Sequence, residues 1–399
     1  LSIRRQRQMC IRDRLTGVIQ LMKVLALINT NLVSENDVTM LPDVNIAGTP
    51  IHCGLIELER PSFKEYELEN EHFVLVKVDA FSCNYRDKAI ILKAALNMQE
   101  DVNFQAPPFA YFGSDFVGTI VAKGSSVEQF EIGQRVIPNC AYPDPPFTGV
   151  APGAVTNEAS RGWLKLHKSK LIKIPDHMDN AVAAGFSIGG QTSTSMVRRV
   201  NFKPNERALV LSGRSNTSMF IINNLTRMGI DTTVLSTSEW TPEEQELIKP
   251  AKLCHIDRNV HKWEEAGLGK FDVVFDPYFD LHLEKAVNQM ETGGRYITCG
   301  YKNQHPDFFE YEDEKTPNHL KNIMLKVMLN NLSLIGNCIG TWEDLENAIS
   351  DYDENEFIVP IDRSYSIEEG SEFVNRTYNT RGRLGKAIML YEEESKVVN

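Results

Sequence analysis

The amino-acid sequence predicts an α/β chain with an additional β part. Residues 39–180 consist of short candidate strands separated by proline and glycine turns, whereas residues 181–338 alternate apolar strands with helical segments. Strands that alternate with helices indicate a parallel sheet covered by helices on both faces. Short strands with frequent turns indicate a barrel-like β domain. Residues 339–399 are mixed and end in one more candidate strand.

The β-rich part contains three clear candidate strands, at residues 73–78, 116–122 and 133–137. All three are rich in the apolar and β-branched residues that favour strands. Prolines at 107–108 and 143–146 mark turns in this part of the chain.

The α/β part contains a strand, a loop of small residues and a helix in direct succession. Residues 207–211 form the apolar strand, residues 212–218 the loop, and the helix that follows ends near Gly229. This is the first unit of a nucleotide-binding βαβ fold, in which the helix N-terminus can hold a pyrophosphate. The dinucleotide fingerprint places three glycines in this loop, but only Gly213 is present.

The remaining pattern completes a doubly wound sheet. Further strands are predicted at 232–235, 252–256, 271–275, 294–298 and 332–335, with helices at 181–200, 242–248, 283–290 and 320–329. Thr241 is a plausible N-cap ahead of Pro242. Six parallel strands are typical of a doubly wound fold. Beyond it, we predict helices at 344–349 and 367–378 and a strand at 385–390.

Composition narrows the class of protein. The chain has 399 residues, 42% hydrophobic and 24% charged, which indicates a globular protein. Its net charge of −12 argues against a nucleic-acid partner, and no apolar run reaches the roughly 18 residues of a membrane helix. Seven scattered cysteines, with no Cys-x-x-Cys pair, predict reduced thiols. We therefore expect a cytoplasmic protein with no nucleic-acid or membrane partner.

Residues 1–14 differ from the rest, with five arginines and one aspartate. They fit a basic arm that binds nucleic acid or anionic lipid, or the n-region of a signal peptide. In a signal peptide, residues 15–28 would be the apolar part, but Lys23 interrupts them. The string also resembles translated sequencing-adapter sequence. We favour that interpretation and expect residues 1–21 to be a non-native or disordered leader.

Five segments carry a family resemblance by their order and spacing. They are residues 78–87, 113–121, 185–190, 293–300 and 385–390. With them the chain resembles the medium-chain dehydrogenase/reductase superfamily, which includes zinc alcohol dehydrogenases and zinc-free quinone oxidoreductases. The resemblance implies a GroES-like β-barrel catalytic domain, residues 22–180 and 339–399, with an inserted doubly wound Rossmann domain, residues 181–338. It also implies a homodimer formed through the sixth Rossmann strand.

The resemblance implies that the chain belongs to the zinc-free branch. The three positions that hold catalytic zinc in the other branch correspond to Asn84, Ser114 and Ala184, none of which has a side chain that zinc prefers. The four-cysteine structural lobe would lie near residues 140–160, where only Cys140 occurs. We therefore predict no metal. A shifted alignment that uses Cys83 and Asp115 is the alternative.

The same resemblance places Asn84 and Tyr85 at the nicotinamide. Tyr85 is then the candidate proton donor, because reduction of an activated C=C bond needs a proton besides the hydride. Asn84 would orient a carbonyl or the ribose by hydrogen bonding. In the alternative interpretation Tyr85 is a packing residue, Asn84 caps a turn, and Arg86 pairs with Asp87.

The second Rossmann strand ends in Ser236-Thr237-Ser238, where an NAD site has an acidic residue. This predicts NADPH in preference to NADH, with Arg214 or Arg258 supplying the charge for the 2′-phosphate. The resemblance would place glycines at Thr217 and Met219, but the serine, asparagine and threonine side chains of the loop offer hydrogen-bond donors. The predicted cofactor-binding residues are Thr192, Gly213, Arg214, Ser215, Asn216, Thr217, Ser218, Ser236, Thr237, Ser238, Cys299, Gly300 and Lys386.

The sequence therefore predicts an NADPH-dependent, zinc-free oxidoreductase that reduces a quinone or an α,β-unsaturated carbonyl by hydride transfer. The alternatives are an alcohol dehydrogenase-type enzyme with an atypical site and a non-enzymatic binding protein with a degenerate cofactor loop. We interpret His255, His261 and His282 as surface or turn residues, and residues 310–314 as a solvated acidic loop.

Overall fold

A computed structural model describes most of the chain. It covers residues 19–34, 38–100, 105–144, 147–260, 262–306, 316–353, 356–391 and 397–398. The first 18 residues of the predicted leader, His261 and the acidic run 310–314 lie outside these ranges. Within the described ranges, no helix has the length and apolar character needed to cross a membrane.

The strands and helices are named here in chain order. The strands are β1 (Ile19–Ile28), β2 (Thr39–Met40), β3 (Val44–Ile46), β4 (Thr49–Ile51), β5 (Cys53–Glu59), β6 (Phe73–Ser82), β7 (Phe109–Ala110), β8 (Asp115–Lys123), β9 (Arg135–Pro138), β10 (Trp163–His167), β11 (Leu171–Lys173), β12 (Arg207–Val210), β13 (Asp231–Ser236), β14 (Lys252–His255), β15 (Phe271–Asp276), β16 (Met290–Thr298), β17 (Ser333–Gly336), β18 (Ile361–Tyr365), β19 (Lys386–Leu390) and β20 (Val397–Val398). The α-helices are α1 (Tyr85–Gln99), α2 (Asn180–Ala184), α3 (Ser187–Val200), α4 (Asn216–Arg227), α5 (Pro242–Glu246), α6 (Phe279–Ala286), α7 (Thr316–Leu329), α8 (Trp342–Asp351) and α9 (Gly370–Tyr378).

Six parallel strands form the predicted doubly wound sheet. Their order is β14-β13-β12-β15-β16-β17, which is the 3-2-1-4-5-6 order of a Rossmann fold. Ala208 and Val210 of β12 pack in one apolar cluster and Leu209 in another. Successive side chains of a strand point to opposite faces, so each face of this sheet has its own core. The predicted fold is confirmed.

The β part consists mainly of two further sheets. One has the order β11-β9-β8-β6-β19-β18, with β10 also paired to β6, and the other the order β2-β5-β1-β20, with β7 paired to β1. Strand β19 near the C-terminus lies antiparallel to β6, with Leu390 opposite Ala80. The chain therefore returns to its first part after the Rossmann sheet.

Helix α1 lies within the region that the sequence analysis describes as β-rich. The Asp87 carboxylate accepts a hydrogen bond from the Asn84 backbone N–H at 2.7 Å, which caps the first turn. Residues 88–98 then supply alanine, leucine, isoleucine and lysine, most of which favour helices. A local cap and local propensity therefore interrupt the run of strands.

Two other boundaries differ from the prediction. The helix predicted at 181–200 is divided at Gly185 and Phe186 into α2 and α3. The Phe186 ring is buried edge-to-face against Phe220 at 5.1 Å, so the break carries an aromatic side chain into the core. Strand β1 begins at Ile19 and pairs Leu21 with Glu59, so it includes the last three residues of the predicted leader.

Candidate functional site

A cleft of about 560 Å³ lies where the Rossmann strands end. Ser212, Ser236, Asp257, Tyr278 and Lys302 line it, and each follows or ends one of the strands β12 to β16. The carboxyl end of such a sheet is where ligands bind in doubly wound folds. We call this space the central cleft. The predicted site residues that line it are Tyr85, Arg214, Ser215, Ser236, Thr237 and Ser238.

The loop after β12 is held together by its own hydroxyl groups. Ser215 is the N-cap of α4, and its Oγ accepts a hydrogen bond from the Ser218 N–H at 3.1 Å. The Ser218 hydroxyl is buried and donates to the carbonyl of Leu211 at 2.8 Å. Gly213 is required by packing, because a Cβ there would lie 2.3 Å from Cγ1 of Val234.

Three further loop positions have different surroundings. Asn216 is 7% exposed, and neither atom of its amide has a hydrogen-bond partner in the described structure. Met219 is fully buried in the apolar cluster behind the loop, while Thr217 is half-buried. The Asn216 amide oxygen lies against α3, 2.3 Å from where a Cβ of Gly189 would be, so this side chain is directed between α3 and α4 rather than into the central cleft.

Arg214 is already paired. Its guanidinium donates two hydrogen bonds to the Glu244 carboxylate, at 2.7 and 2.5 Å, and one to the Gly382 carbonyl at 2.9 Å. The pairing lowers the pKa of Glu244. Arg258 instead is exposed, and it approaches the Thr237 hydroxyl at 3.5 Å. Arg258 is thus the freer of the two arginines predicted to recognise a 2′-phosphate.

The end of β13 carries hydroxyl groups without a carboxylate. The Ser236 hydroxyl donates to the carbonyl of Ser238 at 2.9 Å and accepts from the Ser238 N–H at 3.2 Å. Around the central cleft as a whole, basic side chains outnumber acidic ones. The basic residues that line the central cleft are Arg214, Arg258, Lys285, Lys302, Arg381 and Arg383, against the single carboxylate of Asp257.

Two of the positions that correspond to zinc ligands in the zinc-containing branch, Asn84 and Ser114, lie in a largely buried polar network. The Asn84 amide donates to the Ser114 hydroxyl at 3.0 Å and to Asp115 at 3.1 Å. The ammonium of Lys386 forms a salt bridge with Asp115 and donates to the Ser82 hydroxyl at 3.1 Å. Lys386, predicted to bind cofactor, is only 4% exposed and belongs to this network rather than to the wall of the central cleft.

The network continues to the first turn of α1. Ser114 donates to the Asp87 carboxylate at 2.6 Å, and Arg86 contacts the other Asp87 oxygen at 3.3 Å. Burial raises the pKa of Asp87, although the hydrogen bond from Ser114 and the charge of Arg86 act in the opposite direction. Both alternative roles considered for this segment, capping by Asn84 and the Arg86–Asp87 pair, therefore occur in the structure. In the described ranges, no group of three or more His, Cys, Asp or Glu side chains is arranged to hold a metal ion.

Tyr85 meets a residue that the sequence analysis does not identify. The ammonium of Lys302 donates to the Tyr85 hydroxyl and lies 3.7 Å from the centre of its ring. The Tyr278 ring packs edge-to-face against Tyr85 at 5.2 Å. Burial, with a contribution from Arg383, lowers the pKa of Lys302 to about 8. The one sequence signal for Lys302 is its place just after a Rossmann strand.

His282 corrects the interpretation of the histidines as surface or turn residues. It lines the central cleft with a side chain 13% exposed, and its Nδ1 lies 2.9 Å from the buried carboxylate of Asp276. The same carboxylate accepts a hydrogen bond from the Tyr296 hydroxyl at 2.6 Å. The buried Asp276 carboxylate therefore fixes the orientation of the His282 imidazole.

Other predicted cofactor residues lie outside the lining of the central cleft. Thr192 is buried on α3. Burial raises the pKa of the Cys299 thiol to about 12, so the group is a neutral thiol at physiological pH. Gly300 accepts a hydrogen bond from the Phe279 N–H at 3.1 Å, which fixes the turn after β16. The structure thus joins Tyr85 with residues 214–215 and 236–238. The predicted residues outside the lining of the central cleft are Thr192, Gly213, Asn216, Thr217, Ser218, Cys299, Gly300 and Lys386.

Known proteins share sequence with parts of this chain. Residues 70–176 match the alcohol dehydrogenase GroES-like domain family. A zinc-type alcohol dehydrogenase-like protein of Schizosaccharomyces pombe is 27% identical over 232 residues, which cover 57% of this chain and 62% of that protein. A trans-enoyl reductase of Aspergillus japonicus is 32% identical over 98 residues, 25% of this chain and 27% of that enzyme. The chain thus spans less than two thirds of the length of either relative.

Solved structures match nearly the whole fold. A thermostable alcohol dehydrogenase from Pyrobaculum aerophilum has a TM-score of 0.67 at 17% identity, covering 93% of this chain and 99% of that one. A single-substitution variant of the crotonyl-CoA carboxylase/reductase AntE, in complex with NADP, has a TM-score of 0.66 at 15% identity, covering 93% and 95%. Residues 70–176 thus match a GroES-like domain of alcohol dehydrogenases, and the solved structures share the fold of the chain, a GroES-like domain combined with a Rossmann sheet.

Proposed function

We propose that this chain is an NADPH-dependent, zinc-free oxidoreductase that reduces a quinone or an α,β-unsaturated carbonyl compound. The observation that carries the proposal is the excess of basic side chains around the central cleft of an otherwise acidic chain. A dinucleotide phosphate is a polyanion, and such a site stabilises it by charge and hydrogen bonding.

The residues present fit that cofactor. The N-terminus of α4, with its N-cap Ser215 in the lining of the central cleft, would face the pyrophosphate. The hydroxyls at the end of β13, with Arg258, would recognise the 2′-phosphate. When bound, a reduced nicotinamide supplies a hydride to one carbon of the substrate double bond.

The side chain of Tyr85 would supply the matching proton. Its hydroxyl lines the central cleft at the start of α1, whereas the Asn84 amide is held by Ser114 and Asp115. Tyr85 is thus the better placed of the two predicted catalytic residues to reach a substrate in this cleft. Asn84 instead stabilises the start of α1, where its backbone N–H donates to the Asp87 carboxylate.

The zinc-free assignment is supported by the contacts of Lys386. Its ammonium bonds the same Asp115 carboxylate that accepts a hydrogen bond from Asn84, so a cation already neutralises the acidic group beside the positions that correspond to zinc ligands. The names of two similar proteins, a trans-enoyl reductase and a crotonyl-CoA carboxylase/reductase, are consistent with reduction of a conjugated double bond.

A cytoplasmic location is part of the proposal. Cys53, Cys83 and Cys140 are buried free thiols, and the other cysteines in the described ranges are free as well. Reduced thiols are the usual state in that compartment.

A direct experiment is to purify the chain in a chelator and follow nucleotide fluorescence during titration with NADPH. A panel of quinones and enones is then assayed for NADPH oxidation. Saturable binding with turnover supports the proposal. Turnover that requires added zinc supports the alcohol dehydrogenase-type alternative, and binding without turnover supports the non-enzymatic one.

Replacing Ser236 by aspartate should shift cofactor preference toward NADH. The new carboxylate would repel the 2′-phosphate and accept hydrogen bonds from the ribose hydroxyls. One charge interaction of about 1–3 kcal/mol corresponds to roughly a tenfold or larger change in relative affinity. Ser236→Asn, similar in size but uncharged, is the control. Dissociation constants from fluorescence titration give the result, and an equal NADPH/NADH ratio in all three proteins would contradict it.

We propose further that two copies of the chain associate through the edge of the Rossmann sheet. In the described structure β17 pairs only with β16, which leaves its outer edge open. Helix α7, which precedes β17 in the chain, presents a row of apolar side chains that are 49 to 66% exposed. They are Leu320, Met324, Leu325, Met328 and Leu329. An open strand edge and an exposed apolar helix face are both typical association surfaces.

Replacing Met328 and Leu329 together by glutamate should convert a dimer to a monomer. Two buried charges at such an interface oppose association, whereas the fold of each copy is unaffected because both positions are exposed. Light scattering after size exclusion gives the mass. Met228→Glu, at a methionine that is 53% exposed after α4, is the matched control. A monomeric parent protein would contradict the dimer.

A further inference from the structure

The contact between Tyr85 and Lys302 crosses the central cleft. Tyr85 is the first residue of α1 in the β part, and Lys302 follows β16 of the Rossmann sheet. Both side chains line the cleft. The pair therefore joins the two parts of the molecule at the point where the proposed substrate would be reduced.

Lys302 has no carboxylate partner in the described structure. Its Nζ donates to the Tyr85 hydroxyl and lies 5.4 Å from the centre of the Tyr278 ring. The nearby Asp280 carboxylate is bonded instead to the backbone N–H groups of Lys302 and Asn303, at 2.7 and 2.9 Å. The backbone of the lysine is thus fixed by an acid, while its charge is directed at a neutral phenol.

We propose that Lys302 is a positioning residue for proton delivery by Tyr85. Its ammonium donates to the phenol oxygen, so the hydroxyl proton of Tyr85 is turned away from Lys302 and toward the cleft. This inference rests on the proposed reductase function and adds to it a residue that neither the sequence pattern nor the family resemblance identifies.

Reduction of a conjugated double bond requires one hydride and one proton. Hydride addition to one carbon of a conjugated C=C bond leaves the electron pair of that bond on the carbonyl side, as an enolate. The Tyr85 O–H bond breaks, its proton bonds to the α-carbon, and Tyr85 becomes a phenolate. The Lys302 ammonium stabilises that phenolate by a charge-assisted hydrogen bond until a proton from water restores the phenol.

The charges around Lys302 make this arrangement sensitive to pH. The groups that face it are Tyr85 of α1, Tyr278 and Asp280 at the start of α6, and Arg383 of the loop before β19. Burial is the main cause that lowers the pKa of Lys302 to about 8, and Arg383 adds to it. The ammonium is therefore present below pH 8 and is lost as the pH rises through that value.

The test compares Lys302→Met and Lys302→Arg with the parent protein, using an enone or quinone that the parent reduces. Methionine keeps the length of the side chain without the charge, and arginine keeps the charge at all accessible pH values. We expect Lys302→Met to lower kcat about 10- to 100-fold, the usual loss when a residue that orients a functional group is removed. In the parent kcat/KM should fall above pH 8, and Lys302→Arg should keep most of the activity and lose that fall.

A second readout does not depend on turnover. With lysine labelled by ¹³C at Cε, one signal absent from the spectrum of Lys302→Arg should titrate near pH 8 rather than at the usual value of about 10.4. Tyr85→Phe should move that titration to still lower pH, since the ammonium loses an acceptor. A titration unaffected by Tyr85→Phe would overturn the proposed pair.

The kinetic outcomes separate this inference from the proposed function. Parent protein that binds NADPH but reduces no enone or quinone contradicts the proposed function. Active parent protein with an equally active Lys302→Met variant overturns the role of Lys302 alone. Equal loss in Lys302→Met and Lys302→Arg, with an unchanged pH profile, also overturns it, because only the shape of the side chain would then matter.

Discussion

Tyr85→Phe should lower kcat for enone or quinone reduction by about 10²–10⁴, the usual range for loss of general acid catalysis. The substitution keeps the ring, so its edge-to-face contact with Tyr278 is retained. It removes the proton that the reaction requires. Affinity for NADPH should stay nearly constant, because the loop after β12 and the end of β13 are untouched. Steady-state kinetics and fluorescence titration measure the two quantities separately.

The control for this substitution is Tyr66→Phe, the same chemical change at a residue that is exposed and outside the central cleft. Its kcat should equal that of the parent. An unchanged kcat in Tyr85→Phe would make Tyr85 a packing residue, and the proton would then come from solvent. A large rise in the NADPH dissociation constant would show instead that the phenol binds cofactor.

Lys386→Met should destabilise the fold by about 3–5 kcal/mol, the cost of breaking a buried ion pair by removing one partner. Both members of the Lys386–Asp115 pair are buried. Without the ammonium, the Asp115 carboxylate is left with the Asn84 amide and the Ile188 N–H, which cannot neutralise its charge. Urea denaturation of the parent and variant gives the difference in unfolding free energy.

The double variant Lys386→Met with Asp115→Asn tests the cause of that loss. Because it removes the buried charge as well, it should be more stable than Lys386→Met alone. Lys252→Met removes an exposed lysine that bonds Asp231, and should cost about 0–1 kcal/mol. If Lys386→Met costs no more than Lys252→Met, the buried pair contributes little to stability.

Much of the Rossmann part could be predicted, since buried parallel strands are short apolar runs and the helices between them have a different period. Strand 207–211 and the N-cap at Thr241 are examples, and the structure has both within one residue. Helix α1 could not be predicted from the same signal. Its cap at Asn84 and its run of helix formers lie among segments that favour strands. The β-rich pattern of residues 39–180 as a whole therefore does not indicate a helix there.

The candidate site could be predicted only where it follows local sequence. Ser236 to Ser238 were found because they end a strand, and strand ends meet at one edge of the sheet. The partner of Tyr85 could not be found in this way, since Lys302 is 217 residues distant along the chain. The engagement of Arg214 by Glu244 likewise depends on how α5 packs against the loop.

Gly385 gives the two halves of the site a common mechanical element. It forms a single parallel β-bridge with Ser215, and its N–H donates to the Arg214 carbonyl at 2.9 Å. Its φ of +75° and the Pro360 carbonyl, 1.9 Å from where a Cβ would lie, leave no room for any other residue. The next residue is Lys386. The loop after β12 is therefore hydrogen-bonded to the residue that directly precedes Lys386, so one peptide unit connects the proposed nucleotide end of the site with the ammonium that holds Asp115.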